Sequence, residues 1–441
     1  MGQKRGIWLL ITLLLSLSCT QRDREGHGMD EALSPSVVEV RLSNGKYRLY
    51  VDGEPFYVKG AGCEYGDLAS LRVNGANSFR TWRTDNGQQS GREVLDEALK
   101  YDLKVLMGIE VGNERHGFDY NDTAAVRMQL ERIREQVMAL KDHPALLAWG
   151  IGNELNLHYT NVRVWDAVNE IARAIRQIDP NHPTTTMLAG IGRKEVEYLR
   201  QYGNDLDFLS IQMYGDIVNL QERIATSGYE GPYMVTEWGA TGHWEVPATE
   251  WNAPIEPTST EKAADLRMRY VTAILADSTH CMGSYVFLWG QKQERTPTWY
   301  GLFTENGEAT EAIETMQYLW NSQLEENRAP RISEALLDGK SRYHNIMLAA
   351  DQEYETRVKV NDPDGDRLTV RAEILPESTD PGEGGDREMR PAPIGGLITE
   401  AHPDNVRFRS PAEQGAYRLY LYILDGHNHA ATVNFPFYVK E

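Results

Sequence analysis

The sequence predicts an α/β protein, a (β/α)8 barrel followed by a small all-β sandwich of immunoglobulin-like type. The first observation is a series of eight apolar runs of strand length that alternate with helical segments up to about residue 325. Such strands indicate a parallel sheet, because βαβ crossovers cover both of its faces with helices. The second observation is size, since eight such units in about 270 residues fit a closed barrel. The third is a change after residue 330, where short alternating runs and turn residues replace helices.

The elements follow in order along the chain. Two hairpin turns, Asn44-Gly45 and Asp52-Gly53, separate short strands that precede the barrel. The clearest helices are periodic from Val126 to Leu140 and from Val164 to Ile178. A doubly wound sheet is the alternative, but no glycine-rich phosphate loop follows an early strand, which favours the barrel. The predicted segments are an export signal at 1–19, a flexible tether at 20–36, the barrel with its N-terminal hairpin at 37–328, and the sandwich at 331–441.

The first nineteen residues have the pattern of an export signal. Lys4 and Arg5 precede the apolar run Ile7–Leu17, which is too short to span a bilayer and has the length of a secretory h-region. The run ends in "LSLSC", which resembles the lipobox of bacterial lipoproteins, in which the cysteine, here Cys19, is lipidated after cleavage. A plain signal peptide is the alternative, because the lipobox usually has Leu where this chain has Ser16. We expect a lipid-anchored protein of the bacterial cell envelope.

The charge of the chain restricts its partners. The full sequence has 45 Lys and Arg residues against 65 Asp and Glu residues, a net charge of −20. Such a surface repels nucleic acid and anionic lipid, so neither is expected as a partner. Neutral glycans meet no such repulsion. We expect a monomer that needs no metal and no organic cofactor.

Three cysteines are too few for a disulfide framework. With Cys19 assigned to the lipid anchor, Cys63 and Cys281 remain. The strand order places Cys63 at the C-terminal end of the first barrel strand and Cys281 at the N-terminal start of the eighth. These positions lie at opposite ends of the barrel, beyond the Cα separation of about 7 Å that a disulfide allows. We expect both thiols to be free.

The C-terminal ends of barrel strands carry function, because the loops that follow them build the active face. The residues at these ends form a polar and aromatic set, and it includes two glutamates at the ends of the fourth and seventh strands. Paired carboxylates on opposite sides of a scissile bond are what glycoside hydrolysis requires. In strand order the set is Cys63, Glu64, Tyr65, Arg80, Trp82, Glu110, His116, Asn153, Glu154, Asn156, Gln212, Tyr214, Glu237, Trp238 and Trp289.

Two stretches in this set resemble a catalytic signature. "WGIGNELN" with "YMVTEWGA" is similar to the retaining glycoside hydrolases of clan A, in particular to the barrel domain of family 2, over roughly residues 48 to 325. The resemblance implies that Glu154 is the general acid/base and Glu237 the nucleophile. It also implies that Asn153 binds the sugar 2-hydroxyl and that Arg80 and Tyr214 hold Glu237 ionised. The alternative for the two glutamates is a pair of structural salt bridges.

The resemblance further implies that Trp289 forms the floor of the subsite at the scissile bond. Trp82, Trp238, Glu64 and His116 are additional candidates for substrate binding. The alternative for the tryptophans is that they are core aromatics. For Glu64 and His116 it is that they are solvated loop residues.

The domain order departs from that of family 2, whose enzymes usually carry β-domains before the barrel. This chain has only a hairpin there, an arrangement that looks closer to clan A enzymes acting on β-glucans. We expect hydrolysis or transglycosylation of a β-linked glycan, with β-1,3-glucan as the best candidate. The departure argues against a β-galactosidase or β-glucuronidase, and the acidic charge argues against a uronic acid substrate. The alternatives are a β-galactosidase or β-mannosidase type of exo-enzyme and a catalytically inactive glycan-binding lipoprotein.

Two further stretches contain potential metal ligands. "NDPDGD", Asn361 to Asp366, resembles half of a calcium loop but lacks the glutamate at the twelfth position of an EF-hand. "DGHNH", which contains His427 and His429, has the composition of a turn. The sequence predicts turns between sandwich strands at both places. We expect neither stretch to bind a metal.

Overall fold

Eight parallel strands close into the barrel that the sequence predicts. The structure, a computed structural model, describes Gly2 and residues 34–324, 326–382 and 384–440, so the predicted export signal and Cys19 lie outside the described residues. The barrel strands are hydrogen-bonded in the closed order β10-β11-β4-β5-β6-β7-β8-β9. They are β4 (Val58–Gly62), β5 (Ser78–Arg80), β6 (Lys104–Ile109), β7 (Leu146–Asn153), β8 (Thr184–Ala189), β9 (Leu209–Gln212), β10 (Tyr233–Trp238) and β11 (Cys281–Val286).

Helices cover the outside of the barrel. The two helices that the periodicity predicts most clearly are confirmed, and the Asp122 side chain caps the N-terminus of α3 by accepting from the backbone N–H groups of Ala124 and Ala125. The helices are α1 (Leu68–Val73), α2 (Gly91–Lys100), α3 (Thr123–Leu140), α4 (Arg163–Ile178), α5 (Arg193–Tyr202), α6 (Leu220–Ser227), α7 (Ser259–Arg269) and α8 (Glu311–Asn321), with a π-helical turn at Tyr270–Ile274.

The N-terminal hairpin closes the end of the barrel opposite the strand C-termini. It is a three-stranded sheet of β1 (Val38–Ser43), β2 (Lys46–Val51) and β3 (Glu54–Phe56). Leu49 and Val51 on this sheet belong to the same buried cluster as Leu106 and Met234 in the barrel interior. Water is therefore excluded from this end, and the opposite mouth remains for a site.

The C-terminal part is the predicted sandwich of two sheets around one core. One sheet has the order β13-β12-β15-β18-β17 and the other the order β14-β20-β19-β16. The segment Asn361 to Asp366 connects two strands, as predicted. The strands are β12 (Arg331–Leu337), β13 (Lys340–Ser341), β14 (Ile346–Ala349), β15 (Glu353–Asn361), β16 (Thr369–Pro376), β17 (Ile398–His402), β18 (Asn405–Arg409), β19 (Gly415–Leu424) and β20 (Ala430–Lys440).

The sandwich packs against the barrel through buried polar contacts. The fully buried Arg418 of β19 donates to the Pro254 carbonyl at 2.9 Å and to Glu377 at 2.9 Å. The backbone N–H of Thr432 donates to Ser259 at the start of α7 at 2.9 Å. Residues from 34 onward accordingly cluster as one unit.

Cys63 follows β4 and Cys281 begins β11, and both are buried and unpaired. Burial raises the pKa of each thiol to about 12. In the part of the chain that the structure describes, no helix has both the length and the apolar character needed to cross a bilayer.

Candidate active site

The mouth of the barrel brings the two predicted glutamates together. The strand β7 is buried from Leu146 to Gly152 and becomes accessible at Asn153, so Glu154 is the first residue beyond its end. Glu237 lies on β10 and is 6% exposed. The charge of Glu237 acts on Glu154, and both side chains line one cavity.

The Glu237 carboxylate is held by four side chains. Its Oε1 atom accepts hydrogen bonds from Arg80 Nη1 at 3.0 Å, Trp82 Nε1 at 2.8 Å and Gln212 Nε2 at 3.1 Å. Its Oε2 atom accepts one from the Tyr214 hydroxyl at 2.9 Å. Donors on both oxygens fix the orientation of the carboxylate and stabilise its charge. Arg80 and Tyr214 thus both contact Glu237, as the family resemblance implies.

Asn153 belongs to the same network. Its Oδ1 atom accepts from Arg80 Nη2 at 2.9 Å and from Gln212 Nε2 at 2.8 Å. These two bonds fix which end of the amide is the oxygen, and they leave the Nδ2 group as the donor for a ligand. This orientation fits the implied contact with a sugar hydroxyl.

Glu154 sits in a different environment. Burial is the main cause that raises the pKa of this carboxyl to about 8, and the negative charge of Glu237 adds to it. The positive charges of Arg80 and Arg115 oppose the shift. Its backbone φ of 51° lies in the left-handed region, which costs a residue with a side chain about 1 kcal/mol or more. The fold therefore holds a carboxyl that favours its protonated form at a fixed place beside a carboxylate that accepts four hydrogen bonds.

The structure corrects one of the predicted sugar contacts, Trp238, and buries the ring of another, Trp289. The Trp289 ring is fully buried between Phe303 and Trp320, at ring distances of 5.3 Å and 6.0 Å, although the residue is among those that line the cavity. The Trp238 ring is also fully buried and packs on Tyr270. Both rings belong to the core between the barrel and its helices.

Trp82 lies in the site, where it is partly buried and donates to Glu237 while the Arg80 guanidinium sits 4.7 Å above its ring. Glu64 lines the cavity and forms an ion pair of 2.6 Å with Arg83. His116 also lines the cavity, and its Nε2 atom lies 3.1 Å from Asp386.

Asp386 belongs to the sandwich. It is one of several cavity residues that do not lie at the ends of barrel strands and that the sequence did not predict. The cavity has a volume of about 1670 Å³, larger than the roughly 300–1,000 Å³ of a small-molecule pocket. Trp244, with 60% of its surface exposed, lines this cavity and was not predicted. Other lining residues that were not predicted include Arg115, Phe287, Lys292, Gln293, Glu294 and the sandwich residues 384–388.

The comparisons with known proteins agree with this geometry. Residues 65–244 match the family model described as glycosyl hydrolases family 2, TIM barrel domain. The barrel is thus similar to the glycosidase barrel of family 2. The chain is 23% identical to a β-glucuronidase of Sus scrofa over 43% of this chain and 32% of that protein. It is 24% identical to a β-glucuronidase of Streptococcus agalactiae serotype V over 48% of this chain and 42% of that protein.

A solved structure of β-glucuronidase 2 from Bacteroides uniformis has the same fold, with a TM-score of 0.50 and 13% identity over 91% of this chain and 48% of that chain. The chain spans less than half the length of each of these three proteins. The match thus supports a family 2-like barrel, and the two glutamates of this barrel stand at its mouth.

Away from the barrel mouth, the described residues hold one group of carboxylates close enough to share a cation. Oxygens of Asp362, Asp366 and Asp425 lie within 4.8 Å of one another in the sandwich. Asp362 accepts from the backbone N–H groups of Asp364 and Asp366, and Asp425 accepts from those of His427 and His429. These bonds are those of turns, as the sequence predicts for both segments.

Proposed function

We propose that the protein is a retaining glycoside hydrolase that cleaves β-linked glycans by double displacement. The observation that carries the proposal is the pairing of Glu237, an anion held by four donors, with Glu154, a carboxyl whose pKa is raised to about 8. Retaining hydrolysis needs one ionised and one protonated carboxyl on either side of the bond. The environments of the two glutamates supply these two states.

In the first step a carboxylate oxygen of Glu237 attacks the anomeric carbon. The bond from that carbon to the leaving oxygen breaks, and this oxygen takes the proton of Glu154. The Asn153 Nδ2 group donates to the sugar 2-hydroxyl, a contact that strengthens in the transition state of such reactions. The product is a glycosyl ester of Glu237 and an ionised Glu154.

In the second step Glu154 acts as the base. Ester formation removes the charge of Glu237, and this charge is one cause of the raised pKa of Glu154. The pKa of Glu154 therefore falls when its role changes from acid to base. Glu154 takes a proton from water, the water oxygen bonds to the anomeric carbon, and the ester breaks. A sugar hydroxyl in place of water gives transglycosylation. The retained configuration predicts carboxyl groups about 5–5.5 Å apart.

A β-glucan such as β-1,3-glucan is the substrate that we propose. Two observations favour a neutral glycan: the net charge of −20 and a cavity wall in which carboxyl groups outnumber Lys and Arg. A β-glucuronide is the second candidate, because both curated relatives carry the name β-glucuronidase. The acidic lining residues are Glu64, Glu110, Glu154, Glu237, Glu294, Asp386 and Glu388, and the basic ones are Arg83, Arg115, Arg132, Lys292 and Arg387.

A panel of aryl β-glycosides and linkage-defined β-glucans, mannans and galactans tests the activity and the sugar. We expect Glu237→Gln to abolish turnover of every substrate. Glu154→Gln should slow natural glycans far more than aryl glycosides with acidic phenols, because such leaving groups need no proton. Azide should restore turnover to Glu154→Ala and give a product of retained configuration. Equal turnover by wild type and Glu237→Gln would show that the barrel is not a glycosidase, and glycan binding without turnover by wild type would favour the inactive alternative.

We also propose that the protein is exported and anchored through lipid on Cys19, as a monomer. The support is the N-terminal sequence pattern. Labelled fatty acid should enter the wild-type protein and not Cys19→Ser, and the wild type alone should partition with membranes. Labelling of neither form would favour a plain signal peptide.

A further inference from the structure

One wall of the active-site cavity comes from the sandwich. The connection between β16 and β17 leaves that domain, and its residues 384–388 line the same cavity as Glu154 and Glu237. The sandwich therefore reaches the catalytic mouth of the barrel. A domain that served only as a spacer would not need to contribute residues to this cavity.

Barrel side chains hold this wall in place. Arg115 donates to Asp386 and to the Gly384 carbonyl, both at 3.2 Å, and Lys292 donates to the Gly385 carbonyl at 2.9 Å. On the far side, the buried Glu388 accepts from the backbone N–H of Arg295 at 2.6 Å. Ordering a loop costs conformational entropy. These contacts offset that cost in the free protein, so ligand binding does not have to.

Next to the wall lies a polar side chain without partners. Both the Oε1 and the Nε2 atoms of Gln293 are buried, and neither has a hydrogen-bond partner among the described residues, although Gln293 lines the cavity. A buried amide with no partner has lost its hydrogen bonds to water without replacing them, so the free protein is destabilised by it. A sugar hydroxyl both donates and accepts, so it complements both ends of this amide.

Arg387 is the second polar side chain of the cavity that is left to contact a ligand. It is exposed, it lines the cavity, and within the described ranges it has no ion pair. Its neighbours in the wall differ, since Asp386 is paired with Arg115 and His116 and Glu388 accepts backbone hydrogen bonds. The guanidinium is thus the side chain of the wall that is left to contact a substrate.

We propose that Gln293 of the barrel and Arg387 of the sandwich form a subsite for a second sugar unit of the glycan, beyond the unit at the scissile bond. This subsite rests on the proposed function and makes the sandwich part of the specificity of the enzyme. The volume of about 1670 Å³ leaves room for it. The ligand is the hydroxyl-bearing face of a sugar residue within an oligosaccharide.

The test compares oligosaccharides with aryl monosaccharide glycosides, which fill only the subsite at the scissile bond. We expect Gln293→Met and Arg387→Ala each to lower the ratio of the oligosaccharide kcat/KM to the aryl glycoside kcat/KM, by roughly 3- to 10-fold for the loss of one hydrogen bond. On the oligosaccharide, the variants should differ from wild type in KM and not in kcat. Arg409→Ala, on an exposed strand of the same sandwich, is the matched control and should leave the ratio as in wild type.

Thermal unfolding separates binding from a structural role. Because Gln293 is unsatisfied in the free protein, Gln293→Met should keep or raise Tm while it weakens oligosaccharide turnover. An unchanged ratio in both variants would overturn the subsite. If wild type cleaves neither an aryl glycoside nor an oligosaccharide, the proposed function fails. The subsite is then judged by calorimetric binding of tetrasaccharides to wild type and Gln293→Met, and equal affinities would overturn it.

Discussion

Arg80 and Glu237 form an ion pair of 3.0 Å that is almost completely removed from solvent, with 0% and 7% of the two side chains exposed. A second nitrogen of the same guanidinium donates to Asn153. Arg80 therefore connects the end of β7, which directly precedes Glu154, with β10, which carries Glu237. In the absence of substrate the ends of these two strands are already fixed relative to each other.

Arg80→Met should lower kcat on the order of 10²–10³-fold, because it removes a charge that orients and stabilises the nucleophile. It should also lower the free energy of unfolding by about 3–5 kcal/mol, since it leaves Glu237 as a buried charge without its partner. Steady-state kinetics and urea unfolding measure the two effects. Arg92→Ala, which removes an exposed arginine from α2, is the control and should change neither. A kcat within two-fold of wild type would contradict the role of Arg80.

Tyr214→Phe should lower kcat by roughly 10- to 100-fold, the value of one hydrogen bond to a charged group. Burial, with the nearby charge of Glu237, raises the pKa of the Tyr214 phenol, so its hydroxyl stays protonated and donates. The phenylalanine ring keeps the packing on Phe287 and Tyr300. Tm should change little, and Tyr318→Phe on the surface of α8 is the matched control. Loss of Tm without loss of kcat would mean that Tyr214 is a packing residue only.

Glu237→Gln should lower the pKa of Glu154 from about 8. The substitution removes a neighbouring negative charge, which is the second cause of the shift, and leaves burial, which is the first. The pKa should therefore fall but stay above the 4.5 of an ordinary glutamate. Carboxyl signals of ¹³C-labelled glutamate report the titration, and Glu154→Gln assigns the signal. An unchanged pKa would mean that Glu237 does not influence its partner electrostatically, and the change of role proposed for Glu154 would lose its basis.

Reasoning from strand ends correctly placed the two glutamates in one cavity at the barrel mouth, because it depends only on strand order. Asn153, Glu154 and Glu237 are attached to strands whose apolar runs are visible in the sequence. The same reasoning misassigned Trp238, although the period of a strand could have prevented this. Neighbouring strand residues point to opposite faces, so a Glu237 directed into the barrel mouth requires a Trp238 directed at the helices.

The rest of the site depends on loops that the sequence does not place. Residues 384–388 are more than 90 positions beyond β11 in the chain, and they reach the cavity because Arg115 and Lys292 hold them there. Such contacts are set by the packing of two domains. No periodicity or motif near Gly384 or Arg387 signals a place in a catalytic cavity.

Arg418→Met should destabilise the barrel and the sandwich together. Arg418 is fully buried, and it joins Glu377 and Asn434 of the sandwich to the Pro254 carbonyl of the barrel side. Removal of one partner of a buried pair costs about 3–5 kcal/mol. Calorimetry should show one transition in wild type and in the variant, at lower temperature in the variant. Two separate transitions in wild type would show that the domains unfold independently.

The raised pKa of Glu154 also predicts how stability depends on pH. The folded protein holds this proton up to about pH 8, whereas the unfolded chain releases it near pH 4.5. The stabilisation from the neutral carboxyl is thus complete below pH 4.5 and is lost as pH rises to 8. The side chain of Glu154→Gln is neutral at every pH. The free energy of unfolding of this variant should therefore rise relative to that of wild type by a few kcal/mol across this window, since each pKa unit corresponds to about 1.4 kcal/mol. Urea unfolding at pH 4.5, 6, 8 and 9 measures the difference, which should level off above pH 8.

Met138→Ala on the exposed face of α3 introduces no titrating group and should differ from wild type by a constant amount. A difference between Glu154→Gln and wild type that is equally constant would mean that Glu154 is ionised at neutral pH and cannot serve as the acid.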